Sequence, residues 1–161
     1  MKEKGTNSFS LFNGKERFKG RTVYNGKPTR EWLGKEDSMS PTAGINSIFL
    51  IAMIAAWEDR DVMMADVPNA FIQTNMPDGN ECVIMKITGV LVDIIVLINP
   101  EKYNRYVVYK KGRRVLYLKV LQAIYGMLQS ALLWYELYSK SLKDMGFIIN
   151  PYDLCVANSM I

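Results

Sequence analysis

Residues 62–72, Val-Met-Met-Ala-Asp-Val-Pro-Asn-Ala-Phe-Ile, are the stretch on which the reading of the fold turns. The first half is an apolar run ending in one carboxylate, Asp66. The second half turns at Pro68-Asn69 and sets an aromatic ring, Phe71, five residues beyond that carboxylate. Short apolar runs bounded by turn residues read as buried strands, so residues 62–66 are expected to form a strand with Asp66 at its tip. A carboxylate placed there has a fixed direction and keeps access to solvent, as a ligand to a hard cation requires. The plainer reading is an Asp that caps the following turn.

Composition narrows the chemistry. The 161 residues are 49% hydrophobic and 22% charged, which suits one domain, or a large piece of one, with its own core. There is no histidine. Ser-His and Cys-His nucleophilic pairs and the usual zinc sites are thereby excluded, leaving carboxylates with magnesium as the route to chemistry. Cys82 and Cys155 have no metal-ligand spacing and build no disulfide framework, so both are read as reduced, apolar core positions. The first 15 residues lack the apolar stretch of a signal peptide. The apolar run 48–57 falls short of the ~20 residues that span a bilayer, and no membrane partner is expected.

Charge is segregated. Residues 1–30 hold eight Lys or Arg against two acids, and residues 102–119 hold seven against none, so the rest of a chain of net charge +4 is strongly acidic. Two basic blocks suit a polyanion, nucleic acid above all, because phosphate neutralisation is where clustered cations gain most. A solvated face is the bland alternative for either block.

Outward from the central stretch, residues 1–16 read as a loose segment and residues 17–161 as the domain. Residues 17–24 form a short strand, with Asn25-Gly26 as a hairpin turn. Ser40 and Pro41 have the chemistry of a helix cap and first position, and the helix that follows is apolar all round and therefore expected to be buried. Residues 82–87 read as a strand from their Val and Ile content. Residues 89–98 are open between helix and strand, since periodicity does not separate the two in short apolar runs. Two β-rich runs, 106–109 and 115–120, are joined through Lys110, Lys111, Gly112, Arg113 and Arg114 as a hairpin with a basic tip, which reaches a phosphate backbone or, as edge lysines do, prevents aggregation. Residues 130–145 have the spacing of an amphipathic helix ended by Gly146.

Four of these segments resemble, in order, elements of the reverse transcriptases of copia-type retrotransposons. Lys19-Gly20-Arg21 resembles a Lys-x-Arg element near the start of those enzymes, and Ser40-Pro41 with its helix stands where they have Ser-Pro and a helix. Asp66-Val67-Pro68-Asn69-Ala70-Phe71-Ile72 resembles their Asp-Val-x-x-Ala-Phe motif. Residues 123–135 resemble Leu-Tyr-Gly-Leu-Lys-Gln-Ala-Pro-x-x-Trp-Tyr, matching at Tyr125, Gly126, Gln129, Trp134 and Tyr135. Leu128 replaces the Lys of that pattern and Ala131 the Pro, so a phosphate contact from the Lys does not carry over. Asp153, in the Asp-x-Cys element, precedes the catalytic hairpin in the family and is not a metal ligand there. The Tyr-x-Asp-Asp hairpin that the family places next is not in these residues.

The resemblance implies an α+β fold, the fingers and part of the palm of a right-hand polymerase, with an antiparallel sheet packed on helices. It implies RNA-directed DNA polymerisation, with Mg2+ or Mn2+ in the complete enzyme, RNA or DNA template-primer and deoxynucleoside triphosphates as partners, and the rest of a polyprotein (palm, thumb, RNase H) alongside. Location would be intracellular, in a cytoplasmic particle or the nucleus. Asp66 would be the catalytic metal ligand. Lys19, Arg21, Val67, Ala70, Phe71, Tyr125, Gly126 and Gln129 would surround the nucleotide, with Phe71 excluding a 2′-hydroxyl. Lys110, Lys111, Arg113 and Arg114 would hold nucleic acid. Competing readings are a non-catalytic nucleic-acid-binding module, a decayed element product, and an interaction protein that docks through residues 89–98.

Overall fold

The computed structural model describes residues 8–14, 17–31, 33, 34, 36, 38–77 and 82–159, with side chains described from residue 22 onward. The architecture is α+β: small antiparallel sheets packed against helices. At its centre is a three-stranded antiparallel sheet of β3 (Ile84–Thr88), β5 (Arg113–Lys119) and β4 (Val107–Lys110), with β5 in the middle. Strands β4 and β5 are joined by Lys111 and Gly112, at φ +50° and +73°. Two consecutive positive-φ residues make the mirror-image two-residue turn whose twist matches paired strands. The hairpin is therefore present, but its tip is two residues long: Lys110, Arg113 and Arg114, expected in the joining loop, are paired in the strands.

Residues 89–98 resolve as a helix. Gly89, at φ +73°, starts α2 (Val90–Ile98), and a four-residue α3 (Pro100–Tyr103) follows, with Asn99 accepting the Lys102 N–H through its side chain. Helix α2 lays Val92 onto Ile87 and Leu116, all three buried, with Val107 and Leu118 around them. Leucine-sized burials of this kind each contribute roughly 1.5–3 kcal/mol, so this contact is the main core of the domain. What decides helix over strand here is the apolar sheet face that only one side of α2 has to cover.

A second, smaller core joins distant segments. Tyr24, Val120 and Met127 are buried together, with Met76, Val83, Met85 and Ile124 against them. Residues 74–76 run antiparallel to 121–123: Ala123 donates to the Thr74 carbonyl at 2.9 Å and Met76 to the Leu121 carbonyl at 2.9 Å.

Several expectations are corrected. Residues 62–66 form no strand. They belong to no regular element, with Val62, Met63 and Met64 at 82%, 88% and 96% exposure. A strand is stabilised by a partner, and no described segment pairs with this one. Helix α1 spans Ile45–Trp57 with Gly44 as its N-cap, so Ser40 and Pro41 lie before it and the Ser40 hydroxyl bonds instead to the Pro41 carbonyl. Nor is α1 buried: none of its residues is, and Trp57 is 91% exposed. Both cysteines are exposed. Asn25-Gly26 makes no hairpin; Gly26 has φ −74° and leads into a 3-10 turn, Lys27–Thr29. Strand β2 (Arg17–Val23) pairs with β1 (Ser8–Gly14) before it, so strand pairing reaches back into the segment expected to be loose. Helix α4 (Ser130–Asp144) ends at Gly146, at φ +90°, as its glycine stop foretells. A two-stranded β6 (Ile148–Ile149) and β7 (Ala157–Asn158) closes the described chain.

Candidate nucleotide and template site

The Asp66 segment and the Tyr125 segment meet. Pro68-Asn69 turns as its composition demands, with Asn69 in the left-handed region at φ +54°, a conformation that asparagine tolerates better than most residues. The Gln73 amide donates to the Pro68 carbonyl at 3.0 Å and holds the turn closed. A 3-10 turn over Ala70–Gln73 follows and packs on α4. The Phe71 ring then lies edge-on to Tyr125, centroids 4.8 Å apart and planes at 60°, the preferred geometry for two quadrupoles.

The other side of Tyr125 is backbone. Its carbonyl accepts the Tyr24 N–H at 2.7 Å. Gly126, at φ +87°, lies so close to Tyr24 that an added Cβ would fall 2.0 Å from the Tyr24 carbonyl oxygen, and a Cβ on Gly26 would fall 2.3 Å from the Gly126 carbonyl oxygen. Two glycines thus let two chain segments cross in contact. This crossing accounts for Gly126 through the protein's own packing, and it places the end of β2 beside Tyr125. Downstream, the Ser130 hydroxyl donates to the Ile124 carbonyl at 2.7 Å and fixes the loop into α4. Gln129 is the half-buried residue that begins the helix.

Asp66 itself is exposed, as is Val67, while Ala70 and Phe71 are half-buried. The side chains of Lys19 and Arg21 lie outside the described residues; their backbone is in β2. Among the described residues no three His, Cys, Asp or Glu side chains form a group able to hold a metal ion. Asp66 is one donor, and a divalent-ion site in phosphoryl transfer draws on further carboxylates, waters or substrate oxygens.

The basic hairpin is a separate place. Arg114 sits on the α2 side of the sheet and donates from Nη1 to Asp93 Oδ1 at 2.5 Å. Lys110, Lys111 and Arg113 are exposed. From that tip β5 runs six residues to Lys119, roughly 20 Å, before the chain reaches Tyr125.

Asp153 has a task that its sequence does not announce. Its Oδ2 accepts the Gly44 N–H at 2.9 Å and its Oδ1 accepts the Cys155 N–H at 3.0 Å. The Ser47 hydroxyl, then these two amides, hold its carboxyl below the usual range. It caps α1 from a loop far along the chain, the position that Ser40 was expected to fill. Tyr24 and Gly26 are also central residues without a motif of their own; an Asn-Gly pair advertises a turn, whereas here the glycine serves a chain crossing.

The chain resembles a retroelement Pol protein. Over 140 residues, 87% of this chain, it is 24% identical to the retrovirus-related Pol polyprotein from transposon TNT 1-94 of Nicotiana tabacum, of whose length the match covers 9%. That is a distant relation to retroelement proteins, and the chain spans about a tenth of the polyprotein it matches. No protein-family model matches the chain, and no solved structure does. Among the described residues, no helix is long and apolar enough to cross a membrane.

Proposed function

We propose that the chain is the fingers and part of the palm of a copia-type RNA-directed DNA polymerase within a retrotransposon polyprotein. The observation that carries this reading is the Phe71–Tyr125 contact. Two segments that match separate polymerase motifs, far apart in sequence, come together on the turn that follows Asp66, and the likeness to a Pol polyprotein spans both.

In this reading Asp66 is a ligand to the catalytic ions and the Val67 carbonyl a second donor. Phe71 and Ala70 line the sugar side of the incoming deoxynucleotide, Tyr125, Gly126 and Gln129 lie under the base and template, and Lys19 and Arg21 meet the triphosphate. Bound Mg2+ or Mn2+ supplies charge stabilisation for in-line phosphoryl transfer. The further carboxylates come from the rest of the palm. Lys110, Lys111 and Arg113 of the β4–β5 hairpin face nucleic acid and position it without reading bases, whereas Arg114 is engaged with Asp93 on the α2 side.

Primer extension tests the reading. A longer segment of the polyprotein that includes the remaining palm and thumb is assayed on a primed RNA template with deoxynucleotides. Asp66→Asn is expected to abolish extension while leaving template-primer binding within a few-fold of the parent. Extension that is insensitive to Asp66→Asn overturns the assignment.

A further inference from the structure

We propose that α1 of one copy of this chain docks on the outer face of α2 of a second copy. Both helices carry an exposed apolar stripe. On α1, of which no residue is buried, Phe49, Leu50, Met53 and Trp57 fall within about 100° of arc. On α2 the exposed Val90, Ile94, Leu97 and Ile98 do the same. They lie on the side away from Val92, which covers the sheet. Each stripe rises about 12 Å from its first residue to its last, so the two match in length.

Charge at the ends of the stripes selects the occupant. Directly after Trp57 stand the exposed Glu58, Asp59 and Asp61, with Arg60 paired to Glu58. After Ile98 come the exposed Lys102 and Arg105, against Glu101. Lys102 Nζ lies 5.4 Å from the Tyr103 ring centroid and the Arg105 guanidinium 4.7 Å from that of Tyr106, contacts that restrain each side chain without neutralising its charge. Laid parallel, stripes of equal rise bring Asp59 and Asp61 of one copy beside Lys102 and Arg105 of the other. An anionic lipid surface repels the acidic end of α1, and nucleic acid has no use for an apolar stripe on each helix. A second copy supplies both the apolar stripe and the opposite charge. One such contact covers on the order of 800 Å² of apolar surface. The reciprocal pair in a twofold dimer covers about twice that, the standard size of a specific interface.

Neither stripe contains a residue of the proposed nucleotide site, so the two readings fail separately. The test is sedimentation velocity on the 161-residue chain fused to a monomeric soluble carrier, over a series from about 1 to 100 μM. Reversing the cations (Lys102→Glu with Arg105→Glu) or the acids (Asp59→Lys with Asp61→Lys) is expected to weaken self-association about tenfold. An equimolar mixture of the two variants should associate as the parent does, since each then meets an oppositely charged partner. Leu97→Glu should remove the association, and Lys140→Gln with Lys143→Gln, on α4, should leave it unchanged. A parent that stays monomeric across the series overturns the proposal. So do charge variants that associate as the parent does, and so does a mixture of variants, each with the parent's circular dichroism, that associates no more strongly than either alone. Uptake of the parent by phosphatidylserine vesicles that Leu97→Glu abolishes, without self-association, assigns the α2 face to lipid and overturns the second copy.

Discussion

Phe71 stands edge-on to Tyr125 with ring centroids 4.8 Å apart, and the contact ties the turn after Asp66 to the loop that starts α4. An aromatic pair of this geometry is worth about 0.5–1.5 kcal/mol beyond the area it buries. In a double-mutant cycle of Phe71→Leu and Tyr125→Leu, the two losses should therefore fall short of additive by about 1 kcal/mol. Pulse proteolysis in urea of the carrier-fused chain measures this. Strict additivity would mean that each ring serves its own surroundings and that the two motifs merely adjoin.

Phe71 also has a chemical prediction under the polymerase reading. A ring beneath the sugar of the incoming nucleotide collides with a 2′-hydroxyl, so Phe71→Val in a complete enzyme should admit ribonucleotides more readily. Steady-state incorporation of matched ribo- and deoxyribonucleotides distinguishes selection from packing: proportional loss of both would leave Phe71 a supporting aromatic only.

Gly126 and Gly112 make a matched pair for testing the chain crossing. Both have positive φ, at +87° and +73°, but an added Cβ on Gly126 would strike the Tyr24 carbonyl at 2.0 Å whereas one on Gly112 meets nothing within 4 Å. Gly112→Ala bears only the left-handed backbone cost, about 1–2 kcal/mol. Gly126→Ala adds a backbone collision that relaxes only if the Tyr24–Tyr125 hydrogen bond opens, and it should cost about 3 kcal/mol or more. Comparable urea midpoints for the two variants would contradict the close approach.

Asp153 predicts an acid limb. Its carboxyl titrates below the usual value of 3.8 because the Ser47 hydroxyl and the Gly44 and Cys155 amides favour its charged form. A group whose folded pKa is depressed contributes stability that is fully present above the unfolded value and is lost as pH falls through the folded one. The stability of the α1 attachment should thus be flat from pH 7 to about 5 and decline below about 4. Asp153→Asn should be weaker at neutral pH and show a shallower decline, read by amide hydrogen exchange at the first turn of α1. An acid limb unchanged by Asp153→Asn would assign the titration to other carboxylates.

How much of this was legible in the sequence follows from how local each cause is. The basic hairpin, the Pro68-Asn69 turn and the end of α4 at Gly146 depend on a few adjacent residues, and the structure has them where turn chemistry puts them. Residues 89–98 stayed open because their helical form is settled by the Ile87–Leu116 surface that Val92 covers, which is non-local. The cap on α1 was misplaced for the same reason: Ser40-Pro41 has the local signature, but the carboxylate that does the capping lies 109 residues from Gly44. Burial failed most clearly where an apolar segment has no described partner. Hydrophobicity announces that residues 45–57 and 62–64 are to be covered, and says nothing about what covers them.

Helix α1 exposes Ile48, Phe49, Leu50, Ile51, Met53 and Trp57, and the segment after it exposes Val62, Met63 and Met64. Contiguous apolar patches beyond a few hundred Å² are rare on monomeric soluble proteins and mark surfaces that something else covers. Residues 62–66 moreover belong to no strand among the described residues, and an apolar segment without a strand partner is open to strand addition. The 161-residue chain by itself should therefore self-associate, giving a concentration-dependent mass by light scattering, and Phe49→Glu with Met63→Glu should reduce that association. Under the polymerase reading, in a longer polyprotein segment the amides of residues 62–66 should gain protection from hydrogen exchange, as a strand receiving its partner does. A monodisperse 161-residue monomer, or residues 62–66 left unprotected in the longer segment, would show that this surface is not one that another segment covers.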